Sequence, residues 1–291
     1  MSIGNAIFQG IVQGLTEFLP VSSSGHLSLI QYFTGQGGEQ GVLFTVMLHL
    51  GTLLAVLLAF WGTIWDLIQE FFSMLGEIFT GKFTFRVVGG KRRMIFLLIV
   101  ACLPLLITVF FKDWFEALST DQSILAEGIC FLITSGLLFL SDRCVKGRKT
   151  AGTMQYRDAV AIGVAQAIAP LPGVSRSGST IAVGLLAGLE RKYAVAFSFI
   201  LGVPAVLGAN LLEVGKIAKD GLSIPLPALL AGMLCALLFG VLDIRLVRWL
   251  VVSDRFVWFA WYTLILGIVV IAAAIFENVS GQMLQQIIMG A

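Results

Sequence analysis

The chain has little charge. Asp, Glu, Lys and Arg make up 12% of its 291 residues, about half the roughly 25% of a soluble domain. Apolar residues make up 58%, and mean hydropathy is +0.95. A water-soluble fold cannot hide that much apolar surface, whereas a bilayer accepts it. The net charge of +2 excludes nothing, so the placement of the charges matters more than their sum. Cysteine is also scarce. Cys102, Cys130, Cys144 and Cys235 form no CxxC pair, and three lie in apolar runs, so they read as small buried hydrophobes rather than metal ligands or disulfides. The start, MSIGNAIFQGIVQG, lacks the basic n-region and cleavage site of a signal peptide and reads as a mature N-terminus.

What is present is a set of long apolar runs. Six can cross a bilayer, at about 42–62, 94–111, 121–141, 194–214, 225–243 and 257–276. Two more, about 3–31 and 158–188, are interrupted by Pro, Gly and Ser around Pro20–Gly25 and Pro172–Gly178. Proline and glycine end helices, and open backbone at membrane depth is tolerated only where it lines a cavity. Both segments therefore read as re-entrant helix–loop–helix hairpins. With six spans and two dips, fifteen of the nineteen Lys and Arg residues fall on one side, in 63–93, 142–157, 191–192 and 245–255. That side is then cytoplasmic and both termini are extracytoplasmic. Counting the hairpins as full spans splits the same residues ten against five. The stretch from Ile64 to Phe79 mixes apolar and acidic residues and reads either as an interfacial helix or as an extended helix end.

A shift of 153 residues lays Gly10–Gly25 on Gly163–Gly178 without a gap. Six of sixteen positions are identical, where a composition this biased gives roughly one or two by chance. The expected fold is therefore an all-α polytopic membrane protein, one domain over 1–291. Inverted-topology repeats at about 3–141 and 158–276 would bring the two hairpin tips together near the midplane.

Ionisable residues at membrane depth are costly and point to function. The first break supplies Glu17, Ser22, Ser23, Ser24, Gly25 and His26. The second supplies Ser175, Arg176, Ser177, Gly178, Ser179 and Thr180. A Ser-rich break opening a helix offers backbone N–H groups to an anion, and Arg176 adds a planar cationic fork suited to phosphate. The expected ligand is a phosphate attached to a lipid. Glu17 can serve as general base or metal ligand, His26 as base, acid or nucleophile, and a serine hydroxyl as attacking group. Each serine taken singly also reads as a helix cap. His49 reads as a buried structural histidine, Asp158 as an N-cap, and Glu127, Glu213 and Asp243 as span-end residues reaching the interface.

The stretch Gln13–His26, QGLTEFLPVSSSGH, together with Pro172–Thr180, PGVSRSGST, resembles the two motifs of the bacterial undecaprenyl-diphosphatase, or bacitracin-resistance protein, family. Both motifs occur in order, and length and hydropathy agree over essentially the whole chain. The resemblance implies a multi-pass plasma-membrane hydrolase that converts undecaprenyl diphosphate to undecaprenyl phosphate at the outer face, recycling the carrier lipid of cell-wall synthesis. It implies a divalent cation, Mg2+ or Ca2+, with Glu17 as its acidic ligand and Gln13 as a weaker one. It also implies Ser23 as nucleophile with His26 as acid/base, the choice of nucleophile between the two remaining open, and Arg176 as the diphosphate ligand. The expected partners are the polyprenyl diphosphate lipid, membrane lipids and a second copy in a homodimer, with no nucleic acid. The competing reading is a transporter or flippase of a phosphorylated polyprenyl lipid, which needs Arg176 and the helix ends but not Glu17, Ser23 and His26 together.

Overall fold

Where Pro, Gly and Ser interrupt the apolar runs, the helices stop. The computed structural model describes residues 2–36, 38–84, 89–111, 123–144, 146–220, 224–252, 256–281 and 284. In chain order the helices are α1 (Ile3–Thr16), α2 (Ser23–Phe33), α3 (Glu39–Ala59), α4 (Trp61–Phe79), α5 (Gly90–Cys102), α6 (Leu105–Phe110), α7 (Leu125–Asp142), α8 (Tyr156–Ile168), α9 (Arg176–Leu186), α10 (Arg191–Asp220), α11 (Leu226–Val252) and α12 (Val257–Ser280). Among the described residues the other regular pairing is a single parallel bridge between Lys149 and Leu189.

Both interrupted segments form helix–loop–helix units in the same register, α1–α2 and α8–α9. At 14 residues, α1 is about 21 Å long, short of a bilayer's hydrocarbon core of about 30 Å. With 11 residues each, α2 and α9 are shorter still. Among the described residues five helices are long and apolar enough to cross a membrane: Gln40–Ala59, Leu125–Asp142, Arg191–Leu212, Leu226–Val251 and Val257–Ser280. The outer face of α11 shows why these belong in lipid. Leu226, Leu230, Leu234, Leu238, Leu242 and Leu246 recur every four residues, and all are exposed. This is an outward apolar stripe that water would not tolerate.

Several expected boundaries differ. The run expected as a span over 94–111 is not one helix. Its backbone turns at Leu103 and Pro104, with tighter bonds from Leu103 N to Val100 O and from Leu106 N to Leu103 O. Pro104 has no N–H to donate, and its ring clashes with the preceding turn. Residues 121–122 of the next expected span lie outside the described residues. The extended-end reading of 64–79 fails because the helix breaks at Phe60 (φ −119°, ψ 20°) before α4 begins. In contrast, α11 runs nine residues beyond the expected end at 243.

Small residues set the helix contacts. A Cβ at Gly10 would strike the backbone of Gly232 in α11, and one at Gly163, the matching position, would strike Ala101 in α5. Each hairpin's first helix therefore lies directly against a neighbouring backbone, as small residues permit in membranes. The packing partners follow suit. α1 lies on α11 and α8 on α5 and α6; α3 packs on α11 and α10 on α5; α3 meets α10 and α7 meets α12.

The cationic segments gather at one end of the bundle. Arg93 donates to Met154 O at 2.7 Å, Arg191 to Val251 O at 3.1 Å and Arg248 to Ala59 O at 3.1 Å. Lys149 N donates to Gly188 O at 3.0 Å. At this end Arg92 clamps α5 to α4 through Glu70 (2.7 Å) and Glu77 (2.6 and 2.9 Å). The guanidinium holds the Glu77 carboxyl below the usual carboxylate range. The clamp is therefore complete near neutrality and is lost as acid protonates Glu77. Asp158 is the third residue of α8 rather than its N-cap. It accepts from Gln155 N at 2.9 Å and from Lys149 Nζ at 2.8 Å, the reciprocal half of a capping box whose cap is Gln155.

Candidate active site

The two breaks face each other. Ser177 Oγ donates to Leu19 O at 3.0 Å, and a Cβ on Gly25 would lie 2.8 Å from Gly173 Cα. Gly173, at φ +98°, stands where a side chain would meet Cys130 and Glu127; only glycine takes that backbone without strain.

Glu17 is the hub. It ends α1 and is buried. Its Oε2 accepts from Gln13 Nε2 at 2.8 Å and from Ser23 Oγ at 2.6 Å, and lies 3.3 Å from His49 Nε2. Its Oε1 accepts from Arg176 of the opposite hairpin. Glu17, Ser23, Arg176 and Gln13 are thus brought into one cluster. Arg176 NH1 is buried with no hydrogen-bond partner among the described residues. A buried cationic donor left without an acceptor is costly, and a phosphate oxygen would satisfy it.

His26 is not part of this cluster. Its Nδ1 lies 2.7 Å from Ser22 O and its Nε2 2.6 Å from the Tyr262 hydroxyl, with the two rings stacked 5.7 Å apart. A carbonyl accepts only, so Nδ1 carries the proton, and in the neutral ring Nε2 accepts from Tyr262. The histidine that meets Glu17 is His49, which sequence reasoning took as structural. Its Nδ1 is fixed by Thr45 O at 2.7 Å. A histidine inside an apolar run was the available signal.

The serines divide by role. Ser22 and Ser175 are the N-caps of α2 and α9, accepting from Gly25 N at 3.2 Å and Gly178 N at 3.0 Å. Their hydroxyls also contact Ser24 (3.3 Å) and Ser177 (3.2 Å). The capping role foreseen for single serines therefore holds at these two positions, and it occupies Ser22, Ser175 and the N–H groups of Gly25 and Gly178. Ser22 adopts φ 66°, a strained value for a non-glycine residue that turns the chain out of the break. Thr180 Oγ1 donates to Arg176 O at 2.7 Å and meets Ser198 Oγ at 2.6 Å, so it braces the Arg176 backbone from behind.

Two acids expected at the interface are buried instead. Asp243 accepts from Phe18 N at 2.8 Å and Leu19 N at 3.1 Å, pairing the backbone that the break after Glu17 leaves open. It is interior because α11 continues past it. Glu127 accepts from Ser28 Oγ at 2.6 Å. The Glu213 side chain lies outside the described residues.

Position 49 has Gly202 as its counterpart after the 153-residue shift. A Cβ there would lie 2.9 Å from Arg176 Cζ, so glycine provides the space the guanidinium fills. G202A is expected to lower thermal stability by about 1–3 kcal/mol through overpacking. G208A, where a Cβ meets nothing within 4 Å, should stay within about 0.5 kcal/mol. Thermal unfolding in detergent compares the two.

The donor set also bears on a divalent cation. Among the described residues no group of three or more His, Cys, Asp or Glu could enclose one. However, Gln13 Oε1 is buried without a partner beside the Glu17 carboxylate and the Ser23 hydroxyl. These are hard oxygen donors, and they fit a cation that completes its shell with phosphate oxygens and water.

A family model described as Bacitracin resistance protein BacA matches residues 6–269. An undecaprenyl-diphosphatase of Alkaliphilus metalliredigens is 40% identical over 273 residues, covering 93% of this chain and 98% of the relative. One of Methanosphaera stadtmanae is 37% identical over 279 residues, covering 94% and 99%. One of Syntrophotalea carbinolica is 40% identical over 268 residues, covering 92% and 97%.

Proposed function

Because the chain belongs to the family described as Bacitracin resistance protein BacA, we propose that it hydrolyses undecaprenyl diphosphate to undecaprenyl phosphate and inorganic phosphate. The observation that carries the chemistry is the Ser23 hydroxyl, donating to Glu17 Oε2 at 2.6 Å while Arg176 holds Oε1. In the proposed reaction Glu17 takes the Ser23 proton as Oγ attacks the terminal phosphorus. The bond from that phosphorus to the bridging oxygen breaks, and the lipid monophosphate leaves. Water then cleaves the phosphoserine, releasing inorganic phosphate and restoring the hydroxyl. Arg176 moves from Glu17 to the phosphate oxygens, where its fork offsets the charge spread over the transferring group. Ser23 is favoured over His26 as nucleophile because both His26 nitrogens are engaged elsewhere. Glu17 and Gln13 would hold a divalent cation, Mg2+ or Ca2+, which when bound supplies charge neutralisation to the diphosphate.

The reading extends to topology. We assign repeats 3–141 and 158–276 of opposite orientation, each with a re-entrant hairpin and three spans, residues 90–111 crossing as a broken helix. Two observations support it. Exchanging α1 with α8 and α3 with α10 exchanges their packing partners, α11 with α5 and α6. The cationic segments meet at one end, which by charge bias is cytoplasmic. Both termini and the reaction are then assigned to the outer side. In a cysteine-free background K91C and K112C should label from opposite sides; labelling from the same side rejects this topology.

Purified protein given undecaprenyl diphosphate should release inorganic phosphate, and a chelator should abolish the release. No release, combined with movement of the lipid between leaflets, would establish the flippase reading instead. Release unaffected by chelator would remove the cation.

A further inference from the structure

At the cationic end a cavity of about 580 Å3 opens between the start of α10 and the last turns of α11. Lys192, Arg245 and Arg248 line it, beside Phe60 and Trp249, and among the described residues no carboxylate does. Among the described residues none of the three cations forms an ion pair. Arg248 is held in place, its guanidinium 4.1 Å above the Phe60 ring and bonded to Ala59 O. A preformed wall of three unpaired cations calls for an anion.

A second, apolar feature lies nearby along α10. A groove of about 250 Å3 lies between α4 and α10 with α5 as its floor, lined by Ile64, Leu67, Phe71, Ile200, Val203 and Pro204. α10 contributes to both features. Phe60, just before α4, and Val195 of α10 wall the cavity, and Ile64 and Ile200, about one turn further on, wall the groove. One molecule with an anionic head and an apolar tail would fill both.

We propose that this cavity and groove form a binding site for an anionic phospholipid of the surrounding membrane, its phosphate among Lys192, Arg245 and Arg248 and an acyl chain in the groove. Basic pockets between membrane helices hold such headgroups, and the apolar groove suits an acyl chain, which a free ion lacks. The site lies outside the Glu17 cluster, and the inference does not depend on the phosphatase reading.

Native mass spectrometry of the full chain, with phosphatidylglycerol or phosphatidylcholine added to neutral detergent, tests it. Wild type should retain phosphatidylglycerol preferentially. K192Q/R245Q/R248Q should lose that preference, by on the order of a hundredfold at about fivefold per cation. V203W, which fills the groove and leaves the cations in place, should weaken retention as well. Equal retention of the two lipids by wild type, or undiminished phosphatidylglycerol on the triple variant, overturns the proposal. Saturable binding of inorganic phosphate that is lost in the triple variant, with lipid retention unchanged in V203W, would make this a free-anion site and also overturn it. Turnover of the triple variant in neutral detergent should match wild type; a loss there would place these cations in the catalytic machinery and reject the assignment.

Discussion

E17Q should abolish measurable turnover, with a loss of about 10²- to 10⁴-fold for removal of a general base. Glutamine keeps the size and one acceptor, so the hairpins can still meet. It cannot take the Ser23 proton, and it leaves the buried Arg176 without its counter-ion. Breaking one side of a buried pair costs about 3–5 kcal/mol, so the variant should also unfold at lower temperature. E17Q/R176Q separates the two effects, because it removes both charges together. The double variant should recover stability relative to E17Q while remaining inactive. Phosphate release and thermal unfolding of the three proteins decide this. An E17Q protein with wild-type turnover would remove Glu17 from the chemistry.

R176K should lower turnover by about 10²- to 10³-fold, the usual cost of losing one charge-stabilising donor, although the net charge is kept. Arg176 bridges the hairpins through Glu17, lies over Gly202 and leaves NH1 for an acceptor. A lysine ammonium is a point charge and cannot hold Glu17 and two phosphate oxygens in one plane. The loss should fall mainly on kcat, since the fork matters most as charge spreads over the transferring phosphoryl group. Steady-state kinetics on undecaprenyl diphosphate measure the split. A rise in KM alone would mean that Arg176 only captures substrate.

Much of the site is legible in the sequence. Pro20 and Pro172 cannot continue a helix, so the breaks had to fall where they do. The repeated Ser and Gly positions read as two anion-binding tips, and each serine singly as a helix cap; Ser22 and Ser175 are observed as caps. Glu17 and Arg176 were singled out by chemistry alone, since charge at membrane depth needs a reason, and Ser23 by the family resemblance. His49 was set aside because a lone histidine in an apolar run gives no sign of what it faces. Asp243 was misplaced because hydropathy marks where apolar residues end, whereas α11 continues as a helix beyond that point.

The sequence by itself determined the membrane as solvent, the two breaks and the shared register of the hairpins. Each follows from local composition and the hydrogen-bonding limits of the backbone. Only the tertiary structure decided which groups touch. Glu17 and Arg176 are 159 residues apart and Phe18 and Asp243 are 225 apart, and such pairings depend on how helices cross. That crossing is set by close backbone approaches such as Gly10 on Gly232 and Gly163 on Ala101. His26 was turned toward Tyr262, and His49 toward Glu17, by the same packing of α2, α3 and α12, which no local pattern in the chain encodes.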